Sequence, residues 1–136
     1  MKKLLNKLLP VSHPQHFSLG FVEILVGIIL IFNDYYFFYP PQLQVALNDD
    51  LIGGLAVFYG IKTIKWALQD KNNIRTNRNL LLFASFFWGF ECVAELLQGT
   101  HWGSPARLMV SAFAFGFLLI TFSIIGKSPK TKYSKQ

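Results

Sequence analysis

The sequence predicts an all-α integral membrane protein, with four transmembrane helices in a bundle and both termini on the cytoplasmic side. Three observations predict it. Hydrophobic residues make up 52% of the 136-residue chain and charged residues only 15%, against about 25% charged in an ordinary soluble domain, so much of the surface must face lipid. Four apolar stretches approach the roughly 20 residues a helix needs to cross about 30 Å of hydrocarbon. Basic residues alternate between the connections, as they do when cytoplasmic loops carry the Lys and Arg. The same composition excludes disorder, which needs low hydrophobicity. With Cys92 as the single cysteine it also excludes a disulfide scaffold.

Residues 1–16 form a basic amphipathic segment in which Leu4, Leu5, Leu8 and Leu9 oppose Lys2, Lys3 and Lys7. Such a segment lies on the anionic lipids of the inner leaflet. The apolar run after it is too long for a signal peptide and lacks a small-residue cleavage site, so it is expected to be retained. The first span covers residues 17–39. Glu23 is the single charge in its centre, and Tyr35, Tyr36 and Tyr39 close it at the outer headgroups before Pro40 and Pro41. The second span, 51–68, is the weakest: its uninterrupted apolar part is the 11 residues of LIGGLAVFYGI, before Lys62 and Lys65. A re-entrant segment competes there. Topology decides between them, because DKNNIRTNRN is basic and the connections PPQLQVALNDD and GTHWGSP hold no Lys or Arg. A re-entrant second stretch would put the basic loop on the wrong side. The third span, 80–98, begins apolar and then carries Glu91 and Glu95. The fourth, 106–126, has only Arg107 at its edge, and residues 127–136 form a basic cytoplasmic tail.

Charges inside a bilayer are costly, at about 2.5–3.5 kcal/mol each near the centre of a helix, so intramembrane ionisable residues are the informative feature. Counting the helical rise from the inner boundary places Glu91 at ~16 Å and Lys62 at ~14 Å, with Glu23 and Lys65 both at ~9 Å. These depths predict two ion pairs, Lys62 with Glu91 and Lys65 with Glu23, holding the second helix between the first and third. If Lys65 instead snorkels to the headgroups, Glu23 is left as an unpaired carboxyl able to carry protons. Glu95 lies a turn beyond Glu91 on the same face, with His101 and Arg107 near the outer surface, and Asp34 at similar depth on the first helix, as its expected neighbours. Two carboxylates with a distant histidine fall short of a metal's ligand set, and no metal or other cofactor is expected. Cys92 is read as a packing residue.

Small residues let helices approach closely in lipid. Gly20 and Gly27 share one face of the first helix and Gly53 and Gly60 one face of the second, while Ala112 and Gly116 form a small-xxx-small pair in the fourth. Four helices shield one another incompletely, so a homo-oligomer or a membrane-protein partner is expected.

No phosphate loop, nucleophile elbow or HExxH sequence is present, so no enzyme activity is expected. The basic residues are topology determinants, not a nucleic-acid surface. In size, number of spans and Lys-rich tail the chain resembles phage holins, which implies self-assembly or membrane permeabilisation. The Glu in the first of four helices, in GFVEILVG, resembles small multidrug transporters, which implies proton-coupled transport through Glu23. Lys62, Lys65, Glu91 and Glu95 depart from that pattern. An accessory subunit of a larger membrane complex is the third reading.

Overall fold

The computed structural model describes residues 12–48, 50–69 and 73–128 and is all-helical there, with no strand. Four long helices run α1 Pro14–Ile31, α2 Asp50–Ala67, α3 Ile74–Trp102 and α4 Pro105–Lys127. The amphipathic segment expected over residues 1–16 and the tail over 127–136 fall mostly outside the described residues.

Local chemistry sets the helix ends. Pro14 and Pro105 open α1 and α4, where proline's missing N–H costs nothing and its φ is already helical. Asn73 caps α3, its side-chain oxygen accepting from the backbone N–H of Arg75 at 2.9 Å and of Thr76 at 3.4 Å. Gly103, at φ 60°, ends α3 in a left-handed conformation that favours glycine. Consequently α3 runs 29 residues, past both expected ends. The first helix is shorter than expected and stops at Ile31. Asn33 turns its side-chain amide back onto the Ile29 carbonyl at 2.6 Å, the competition with the helix ladder that makes Asn a helix terminator. Residues 32–48 then form a long connection containing two short turns, Pro41–Leu43 and Gln44–Leu47.

The helices pair as two antiparallel hairpins, α1 with α2 and α3 with α4. In the first, the four glycines face one another: a Cβ on Gly20 would stand 2.6 Å from the Gly60 carbonyl oxygen, and one on Gly27 2.6 Å from that of Gly53. The two backbones are therefore in contact at two levels one heptad apart. In the second hairpin Gly99 admits Leu108, the Ser111 hydroxyl donates to the Cys92 carbonyl at 2.8 Å, and Trp88 stacks on Phe117 at 4.6 Å. Cys92 is part-buried at this interface.

Ala112 and Gly116 do not contribute to this packing. Ala112 is exposed and a Cβ on Gly116 would meet nothing within 4 Å. The buried residues of α4 are Ser111, Ala114, Thr121 and Ile124. At 100° per residue, positions 112 and 116 point to the opposite side of the helix.

The hairpins meet through Leu19, Leu30, Ala56, Ala84, Phe87 and Trp88 in one core, and through Tyr59 stacked on Phe83 at 3.9 Å. Three helices, α1, α3 and α4, are long and apolar enough to cross a membrane. The 18 residues of α2 include Asp50, Lys62 and Lys65.

Candidate functional site

Two groups of buried polar residues occupy the fold at different levels. The first comprises two interior carboxyls on different helices, Glu23 on α1 and Glu91 on α3. Glu23 lies between the glycine contacts of α1, on the side that also carries Leu19 and Leu30, and it is 0% exposed. Neither of its carboxyl oxygens has a hydrogen-bond partner. Glu91, on α3, is 3% exposed and its Oε1 is also without a partner, as is the indole N–H of Trp88 one turn below.

The two ion pairs expected from depth do not form. Lys62 and Lys65 are exposed, and the Lys62 ammonium sits over the Phe58 ring at 4.2 Å. The reason is angular. The buried face of α2 is Gly53, Ala56, Gly60, Thr63 and Ala67, together with Trp66, and at 100° per residue Lys62 and Lys65 project away from the Gly60 line. Matching height along the axis is necessary for a pair but does not set direction.

The second group lies where residues 36–48 cross the ends of α3 and α4. Glu95 is 0% exposed and pairs with Arg107, the guanidinium Nη1 standing 2.8 Å from Oε1. Arg107 is one of the three neighbours expected for Glu95. Of the other two, His101 stacks instead on Tyr39 at 4.0 Å and Asp34 is exposed. Arg107 also donates through Nη2 to the Tyr36 carbonyl at 2.9 Å and covers the Tyr36 ring at 4.6 Å. The backbone N–H of Phe38 donates to Gln98 Oε1 at 2.9 Å. Asn48 brackets Phe37 from the other side: its Oδ1 accepts from the Phe37 N–H at 2.8 Å and its amide donates to the Phe37 carbonyl at 2.7 Å. Phe37 itself is 0% exposed and joins the core against Phe90. Burial, reinforced by the carboxyls of Glu95 and Glu91 and opposed by Arg107, holds the Tyr36 phenol above its usual range.

Sequence reasoning missed Phe37, Asn48 and Gln98. One of them left a readable signal, since Glu91, Glu95 and Gln98 follow the 4, 3 spacing of a single helical face. At the opposite end His16 Nε2 and Asn77 Oδ1 are 2.8 Å apart and both rings of His13 and His16 lie against Trp66, at 4.7 and 4.4 Å. Among the described residues no three His, Cys, Asp or Glu side chains converge as metal ligands. Compared with known protein families, curated proteins and solved structures, the chain matches none.

Proposed function

We propose that this chain is a small, non-enzymatic, multi-pass membrane protein that passes a proton or small cation along the interior carboxyls of Glu23 and Glu91. One observation carries the reading: Glu23 is fully buried with both oxygens unpartnered. Burying a carboxyl without partners costs several kcal/mol, and an intramembrane ionisable residue kept at that cost is by default a functional one. The reading in which lysines simply neutralise the carboxyls loses its support, because both lysines project away.

Four crossings with both ends cytoplasmic are part of the proposal. Supporting them, α2 runs antiparallel to α1 with backbone contact at two levels. Arg75, Arg78 and Lys127 lie at the end where α3 begins and α4 finishes. At the other end, Arg107 is paired with Glu95, so it adds little net positive charge there.

The test is ion flux in liposomes. Purified protein under an imposed pH or cation gradient should dissipate it, and Glu23→Gln, checked for unchanged helicity and melting, should abolish the flux. Flux unchanged by Glu23→Gln removes Glu23 from the path. Absence of flux of any small cation sinks the transport reading and leaves an accessory role.

A second reading, self-assembly, is favoured by the outward-facing Ala112 and Gly116 on α4, the helix that is least buried inside the structure. Small residues on an exposed apolar helix permit close approach by another helix. Leu at either position should then abolish cross-linked oligomers.

A further inference from the structure

At the end of the molecule remote from Glu95, a cavity of about 370 Å³ opens between the start of α1, the start of α3 and the close of α4. Its polar lining includes His13, His16, Asn77, Lys127 and Ser128. Among the described residues of that lining, each titratable side chain is a base. The wall is built: His16 and Asn77 are each 6% exposed and hold each other at 2.8 Å, and Asn77 donates onward to Ser128 Oγ at 3.2 Å. These bonds fix the back of the cavity while Lys127 stands at its mouth. The first turn of α1 also faces it, with no side-chain cap and no acidic residue in that turn, so backbone donors and the positive end of the helix add to the same sign.

We infer that this cavity binds a phosphate-bearing anion. A compact anion matches a pocket whose described titratable side chains are all bases and onto which a helix N-terminus opens. The pocket also lies at the end of the helices where Arg75 and Arg78 would meet anionic headgroups. The inference is independent of the role given to Glu23.

Two probes separate the sources of the phosphate. Purified protein in phosphatidylcholine nanodiscs is titrated with phosphatidylglycerol at constant total lipid, and separately with inorganic phosphate against chloride at equal ionic strength. Binding is followed through the ring NMR signals of His13 and His16 in the unmodified protein and through thermal stabilisation. Saturable shifts with either probe, absent with phosphatidylcholine and chloride, are expected. A response to phosphatidylglycerol alone identifies a lipid headgroup, and a response to inorganic phosphate a free anion. Lys127→Gln should weaken binding about fivefold, while Arg78→Gln, an exposed charge at the same end outside the cavity lining, should change it less than twofold. Equal losses in the two variants would mean diffuse surface attraction and overturn the site. So would histidine signals that move with neither probe, whether or not the variants fold.

Discussion

Gly53 and Gly54 are adjacent on α2, yet replacing each by alanine should have opposite effects. A Cβ on Gly53 would lie 2.7 Å from the Gly27 carbonyl oxygen and 2.8 Å from Ile31 Cγ1, whereas a Cβ on Gly54 would meet nothing within 4 Å. Ordinary contact begins near 3.4 Å, so Gly53→Ala requires α1 to retreat by about 0.7 Å, a gap that forfeits a quarter to a half of each affected dispersion contact. Overpacking of this kind costs about 1–3 kcal/mol. Both variants gain the same helix propensity, about 0.5–1 kcal/mol. That gain cancels in their difference. Gly54→Ala is thus expected to be slightly more stable than the parent, and Gly53→Ala less stable than Gly54→Ala by about 1–3 kcal/mol. Denaturant titration in detergent, followed by circular dichroism, reads the difference directly. Equal midpoints for the two variants would refute the backbone contact between α1 and α2.

Three further outcomes follow from the same coordinates. Arg107→Met should destabilise the protein by about 3 kcal/mol, because it strands the buried Glu95 carboxyl; the double variant Arg107→Met with Glu95→Met should recover most of that loss in the same titration. Asn48→Ala leaves both backbone polar groups of Phe37 without their partner, at about 1–3 kcal/mol, and should expose residues 36–48 to limited proteolysis before the helices are cut. Lys62→Met should be neutral or stabilising in the titration, since no carboxylate depends on Lys62; a loss of about 3–5 kcal/mol would instead reveal a buried ion pair.

The glycine faces of α1 and α2 were legible in the sequence because they are periodic, although which helices they join was not. Gly20 with Gly27 and Gly53 with Gly60 share a seven-residue spacing, and the structure sets them opposite one another. Periodicity also explains where the reading stopped. Depth along an axis is linear in residue number and simple to count, but Lys62 and Lys65 are turned away by angle, a second coordinate that the 100° step supplies and that the depth argument left unused. The aromatic run from Phe32 to Tyr39 is apolar enough to read as helix, although Asn33 ends the ladder and Phe37 enters the core from an irregular segment. Hydropathy reports that a side chain avoids water; it does not report whether lipid or protein receives it. Asn48 was invisible for a related reason, since it acts on the backbone groups of Phe37 in an irregular segment and belongs to no helical pattern.

The separation in sequence of the contacts at residues 36–48 has a consequence for biosynthesis. The glycine contacts of α1 and α2 are available as soon as both helices have been made. Tyr36, however, is anchored by a residue 71 positions later, and translation proceeds at about 5–20 residues per second. From the end of α2 at Ala67 to Arg107 is 40 residues, so for roughly 2–8 s at that rate the first hairpin exists without the clasp that Arg107 and Gln98 provide. Interruption of synthesis within that interval would release a hairpin that is closed along its axis and open at one end, with Phe37 lacking the α3 ring it packs against in the finished chain.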